Sequence, residues 1–295
     1  MADAKPSRMT DDLTALLTSQ GLPPSTRAAV EQIHAPLADW LADQRATVDG
    51  AMLVGLCGAQ GSGKSTAALI LRHLLEARGL KVAILSIDDL YLAHAERRAL
   101  AKSVHPLLAT RGPPGTHDVA LGEAVIDGLG RPGPTAIPSF DKAIDDRRPR
   151  QAWPVFEGPA DIILFEGWCV GAAPEPPDAL AAPINALERE QDPDGVWRRY
   201  VNDALARYQP LFARMHRLIL FAAPSFGVVQ RWRGEQEAKL RAEGRGRRVM
   251  TDAEVARFIQ HYERLTRAIL KEMPARADAL VELGEARELK RLAFR

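Results

Sequence analysis

One octapeptide, Gly58-Ala59-Gln60-Gly61-Ser62-Gly63-Lys64-Ser65, constrains this chain more than any other stretch. It follows the apolar run Ala51 to Cys57. It precedes Thr66 to Ala77, where Ile70, Leu71, Leu74 and Leu75 recur at helical spacing until Gly79 stops the pattern. The order is strand, glycine-rich loop, helix. Glycines at these places let the backbone curl its N–H groups inward around an anion, and the helix start adds the positive end of its dipole. Lys64 is then placed to reach the β- and γ-phosphates of a nucleotide and Ser65 to ligate Mg²⁺, with Gly58 through Thr66 forming the phosphate-binding segment.

Composition narrows the rest. At 295 residues and 46% hydrophobic, the chain can bury a sizeable core. Its 39 Lys+Arg nearly cancel its 38 Asp+Glu, so no whole-molecule field draws it to nucleic acid or an anionic membrane, and any anion site is local. Cys57 and Cys169 lie in or beside apolar runs, without metal-site spacing, which suits a reducing compartment. There is no apolar run of membrane-spanning length, and Met1 to Arg8 is polar with no apolar segment behind it; the expectation is a soluble cytoplasmic protein.

Along the chain, the first fifty residues read as helices: Asp11 to Ser19, then a segment capped by Ser25 with Val30, Ile33, Leu37 and Leu41 inward and Pro36 bending or dividing it. This pair either covers a sheet edge or recruits a partner. Leu80 to Ile87 is a continuously apolar strand that ends in Asp88-Asp89-Leu90-Tyr91, where open α/β sheets bind ligands. Either acid can instead cap a following helix. His105 to Asp118 and Arg131 to Pro154 carry too much Pro and Gly for regular elements. In the first loop, Arg111, His117 and Asp118 are candidate ligand contacts, and Thr116 or Asp118 can equally cap the helix of Ala120 to Leu129.

Asp161 to Gly167 is a second buried strand ending in a carboxylate. An acid there commonly serves Mg²⁺ in phosphate-loop proteins, and Glu166 is the candidate. Helices follow over Val196 to Arg214, Pro224 to Leu240 and Thr251 onward, with a short apolar run at Leu218 to Phe221 and a last strand at Ala279 to Leu283. Between the last two helices, Gly244 and Gly246 interrupt a basic tip of Arg245, Arg247 and Arg248. The hairpin reads either as a lid over phosphates or as a solvated basic surface. Strands alternating with helices predict an α/β fold with a mostly parallel, five-stranded sheet, helices on both faces and a helical N-terminal extension.

The phosphate loop, Ser86 to Tyr91 and Glu166-Gly167 resemble the phosphoribulokinase, uridine kinase and pantothenate kinase group of P-loop kinases. Pro106-Leu107-Leu108, Arg111-Gly112, Pro114 to Asp118, Phe140-Asp141-Lys142, Phe165 to Trp168 and Gln230 to Arg233 narrow this. They resemble the plant-type D-glycerate 3-kinases and their bacterial and fungal relatives. The resemblance implies a P-loop kinase domain over residues 51–295, behind an extension over 1–50. It implies transfer of the ATP γ-phosphoryl group to a primary hydroxyl, giving 3-phosphoglycerate if the acceptor is glycerate. It further implies that Asp88 is the base, with Lys64 and Glu166 beside it in the chemistry, and Ser65 and Glu166 on the metal. Tyr91, Arg111, His117, Asp118 and Lys142 are placed with Asp88 around the acceptor, and Arg231 and Arg233 on a lid over the nucleotide.

The chain departs from the family pattern at Ile144 to Arg148, where more glycine is expected, and in its arginine-rich lid tip. Which of Asp88, Asp89 and Glu166 is the base stays open, since each can serve Mg²⁺. For an acceptor carboxylate the loop cations are Arg111, Lys142, Arg147 and Arg148, with Arg111 first by the resemblance. A nucleoside acceptor is disfavoured by 6% aromatic content with only Phe140 in the substrate loops. A GTPase switch is disfavoured by the lack of an Asn-Lys-x-Asp motif, and a nucleic-acid motor by the lack of a basic stripe outside Arg231 to Arg248. A regulatory ATP-binding protein without turnover remains the rival of another class.

Overall fold

The computed structural model describes residues 26–242 and 250–295 together with Ala15, Leu17, Thr18 and Gly21, with backbone alone for 239–242. The basic tip at 245–248, the Ser25 cap and most of the first expected helix lie outside the described residues.

The sheet is built on strands too apolar to face water. β1 (Met52–Gly58) and β7 (Ile162–Gly167) are buried at every residue, and β8 (Arg217–Ala222) at all but its first. Such runs need cover on both faces, which a parallel sheet flanked by helices supplies. With β2 (Val82–Ser86), β9 (Ala279–Leu283) and β10 (Leu289–Phe294) the strand order is β10-β9-β8-β1-β7-β2. The first five in sequence pair in parallel, as expected; β10 adds an antiparallel sixth. The expected five-strand count is therefore corrected to six. Lys290 and Arg291 interrupt the apolar signal of β10, a pattern suited to an edge strand with one wet face.

The chain from Thr26 runs through a π-helical turn, Val30–His34, into α1 (Ala35–Arg45), with Pro36 in the first turn of α1, where proline is tolerated. Val30, Ile33, Leu37 and Leu41 join the same core as the sheet. Trp40 lies 5.3 Å from Phe294 of the edge strand, and Arg45 pairs with Asp161 at 3.4 Å. Beyond β1 comes α2 (Lys64–Glu76), and after β2 come α3 (His94–Ser103) and α4 (Val119–Leu129).

The region expected to be irregular, Arg131 to Pro154, holds short strands instead. β3 (Gly133–Ala136) pairs with β6 (Val155–Gly158), and β4 (Phe140–Asp141) with β5 (Asp146–Arg147). Elements of two to four residues are too short to show a period. A small α5 (Ala186–Gln191) and α6 (Val196–Phe212) precede β8. α7 (Phe226–Ala242) and α8 (Asp252–Glu272) follow it, α8 opening on a capping box between Thr251 and Glu254.

Candidate active site

Gly61 and Gly63 hold left-handed backbone, φ +79° and +86°, and they turn β1 into the start of α2. A Cβ on Gly61 would sit 2.6 Å from Cβ of Trp232, so α7 packs directly on the loop. From the β9–β10 turn, Arg287 donates through Nε to the Gly61 carbonyl at 2.6 Å and lies 4.9 Å from the centre of the Trp232 ring. The Trp232 indole N–H in turn donates to the carbonyl of Glu285 at 2.7 Å. The loop is thus braced from outside by two elements that no local motif announces.

The β1–β7 register puts Leu56 beside Glu166 and brings the Glu166 carboxylate to the helix start. Ser65 Oγ donates to Glu166 Oε1 at 3.0 Å, and Lys64 Nζ stands 3.9 Å from Oε2, a buried oxygen with no hydrogen-bond partner. An unsatisfied carboxylate oxygen beside a hydroxyl is the hard-donor set that Mg²⁺ takes. Among the described residues no three acidic, His or Cys side chains form a complete metal cage.

At the end of β2 a 3₁₀ turn, Ile87–Leu90, is capped by Ser86, whose Oγ accepts from the Asp88 N–H at 3.3 Å; neither aspartate is the cap. Asp88 Oδ1 accepts from the Tyr91 hydroxyl at 2.7 Å and Oδ2 from Lys142 Nζ at 2.6 Å. Burial works to raise its pKa, but the Lys142 and Lys64 charges and these two hydrogen bonds outweigh it and hold Asp88 well below the usual carboxylate range. Asp89 turns away and accepts from the Phe140 N–H at 2.9 Å, anchoring β4. Burial, with Asp88 adding to it, pushes its pKa up to about 6.

One cleft gathers much of the expected set. Gln60, Gly61, Lys64 and Ser65 line one wall, and Asp88, Tyr91, Arg111 and Lys142 another. Arg233 and Gln236 of α7, Phe258 and Tyr262 of α8, and Trp168 complete it. Of the four loop cations, Arg147 instead pairs with Asp118 at 3.3 Å and Arg148 with Asp141 at 3.3 Å.

Of the expected acceptor and lid contacts, three are not brought to this cleft. His117 is buried, within 3.0 Å of the Tyr208 hydroxyl, and stacked on Tyr91 with ring centres 4.8 Å apart. Burial pushes its pKa down to about 4, so it is a neutral brace. Asp118 caps α4, accepting from the Leu121 N–H at 3.0 Å. Arg231 pairs with Glu285 at 2.8 Å and faces a separate hollow between α7 and α8. Cys57 is buried at the end of β1, and burial pushes its thiol up to about 12, so it packs as a small apolar group.

The substrate loops hold only Phe140 among aromatic residues, but the fold brings Trp168, Phe258 and Tyr262 to the cleft from other elements, which the sequence reading did not assign to the site. Phe258 and Tyr262 are four apart on α8, a spacing that core positions share. Trp168 carried a signal, since it directly follows Glu166-Gly167. Its indole N–H donates to the Gly112 carbonyl at 3.1 Å, and the Tyr262 hydroxyl donates to the Arg111 carbonyl at 3.0 Å, so both rings shape the Arg111 loop.

The family model described as methylmalonyl Co-A mutase-associated GTPase MeaB matches residues 27–91, less than half the chain and confined to the segment around the phosphate loop. The fission yeast protein named uncharacterized kinase mug58 is 37% identical over 222 residues, covering 71% of this chain and 78% of that one. The chloroplastic D-glycerate 3-kinase of Arabidopsis thaliana is 30% identical over 257 residues; the match takes in 80% of this chain but only 53% of the plant protein, about half its length. A solved D-glycerate 3-kinase from Cryptococcus neoformans superimposes with a TM-score of 0.75 at 26% identity, covering 91% of this chain and 99% of that one. The six-stranded fold, the braced phosphate loop and these relatives agree, and the chain belongs to the glycerate 3-kinase-like family of P-loop kinases.

Proposed function

We propose that this kinase transfers the γ-phosphoryl group of ATP to the primary hydroxyl of a small hydroxy acid, D-glycerate being the acceptor its relatives suggest. The observation that carries the reading is the meeting, in one cleft, of the phosphate loop, a carboxylate at the end of β2 and two cations, Arg111 and Lys142. Phosphoryl transfer asks for positioning and charge neutralisation more than covalent chemistry. Backbone N–H groups from Ala59 to Lys64 cradle the phosphates, and the Lys64 ammonium offsets their charge. Mg²⁺, held by Ser65 and Glu166, would supply further charge neutralisation. Asp88 accepts the acceptor's hydroxyl proton, Arg111 and Lys142 meet its carboxylate, and Arg233 of α7 reaches the cleft from the lid side. Trp168, Tyr262 and Phe258 wall the site against water.

The aromatic rings around the cleft favour one second reading, a nucleoside acceptor stacked against them. Incubation with ATP, Mg²⁺ and a panel of hydroxy acids, nucleosides, pantothenate and sugars, following ADP, separates them. ADP release with glycerate alone supports the proposal. Release with nucleosides alone replaces it, and no acceptor-dependent release with any compound sinks both and leaves a regulatory nucleotide binder. The two buried free thiols suit a reducing compartment such as the cytoplasm, and among the described residues no helix is long and apolar enough to cross a membrane.

A further inference from the structure

Resting on that kinase reading, we infer that Lys142 is a latch on the base: its ammonium occupies Asp88 until the acceptor's carboxylate draws it away, so that only an anionic acceptor arms the enzyme. Both oxygens of Asp88 are taken. Oδ1 is held by Tyr91, whose ring is fixed between His117, 4.8 Å away, and Phe140, 5.1 Å away. That oxygen has little freedom to change partners. Oδ2 is held at 2.6 Å by Lys142, in a charge-assisted hydrogen bond. A base must itself come within about 2.6–3.2 Å of the proton it takes. The ammonium stands in that place.

Lys142 is built to leave. Its side chain is 58% exposed, while the strand behind it is pinned by the Asp89 bond to the Phe140 N–H, so the head can swing with its root fixed. Arg111, the other loop cation that lines the cleft, already pairs with Asp145, a carboxylate it shares with the fully buried Arg97. Of the two, Lys142 alone is paired with the proposed base. An incoming carboxylate offers its ammonium an equivalent partner. Asp88 Oδ2 is then free, and the depression of its proton affinity by that charge is relieved. The hydroxyl proton passes to Oδ2, the hydroxyl oxygen bonds to the γ-phosphorus, and the bond from that phosphorus to the bridging oxygen breaks, ADP leaving with the electron pair. Without an anionic acceptor the latch stays shut and water is not activated in the acceptor's place. Lys142 thereby selects for acids and suppresses wasteful hydrolysis.

The test uses the full chain with saturating ATP and Mg²⁺ and follows ADP with no acceptor, with lactate, which has the carboxylate but no primary hydroxyl, and with D-glycerate. In the wild type, lactate is expected to stimulate ATP hydrolysis several-fold. In Lys142→Met the acceptor-free rate is expected to be several-fold above wild type and blind to lactate, while glycerate turnover falls about 10²-fold. Affinity for ATP measured by calorimetry stays within about twofold of wild type, because Lys142 is mostly exposed and its ion pair is with Asp88, not with the phosphate loop. The latch is overturned if lactate leaves wild-type hydrolysis unchanged or lowers it, or if Lys142→Met hydrolyses ATP no faster than wild type. Glycerate turnover without lactate stimulation sinks only the latch. No turnover with any acceptor sinks the kinase reading and the latch together.

Discussion

Asp88 and Asp89 are adjacent, chemically identical and read alike in the sequence, yet their surroundings divide them. One carries two donors and two nearby ammonium charges; the other is half-buried against a backbone N–H. Asp88→Asn should lower turnover by about 10²–10⁴-fold while ATP affinity, measured by calorimetry, holds; equal losses of both would remove Asp88 from the base role. For Asp89 the sign runs the other way. Its folded pKa of about 6 lies above the ordinary aspartate value, so across roughly pH 4 to 6 the folded chain keeps a proton that the unfolded chain has released. Stability from this residue therefore falls as pH rises through that window, by roughly 1–3 kcal/mol. Asp89→Asn keeps an acceptor for the Phe140 N–H and should flatten that slope. Chemical denaturation at pH 4.5 and 7 checks it, and an unchanged slope would show that Asp89 is solvated.

The phosphate loop is a local element, but its brace is not. Arg287 sits 226 residues after the Gly61 carbonyl it binds, and Trp232 comes from α7. Arg287→Ala removes a charge-assisted hydrogen bond of about 1.5–3 kcal/mol together with the stacking on Trp232, and the expected result is an ATP affinity weaker by about tenfold or more, read by titration. Gly61→Ala should be worse, because a Cβ there meets Trp232 at 2.6 Å in a left-handed backbone. Unchanged ATP binding in both variants would mean that the brace is ornamental to the loop. The β4–β5 hairpin is legible only in space. Two residues a side leave no period to read, and its position is set by Asp89 and by Arg147, which donates to the Tyr91 carbonyl at 2.9 Å.

On the scale of the whole molecule, α1 closes the side of the sheet where β10 ends. Leu37 and Leu41 are fully buried in the common core, and Trp40 covers Phe294. Leu37→Ala should cost about 2–5 kcal/mol, and removal of residues 1–50 should lower the melting temperature further and expose apolar surface to dye binding. A truncated chain that melts like the full one would show that the helix merely rests on the sheet. The amino-acid sequence alone determined the parallel core, the phosphate loop and the two acids at strand ends, because each is written in neighbouring residues: unbroken apolar runs, glycines at fixed offsets, a carboxylate where a strand stops. Only the tertiary structure decided that His117, Asp118 and Arg231 stand outside the cleft, that Trp168, Phe258 and Tyr262 wall it, and that Lys142 holds Asp88. Those outcomes depend on which distant side chains fold into contact, and a side chain's partner is fixed by packing over the whole core and not by its neighbours in the chain.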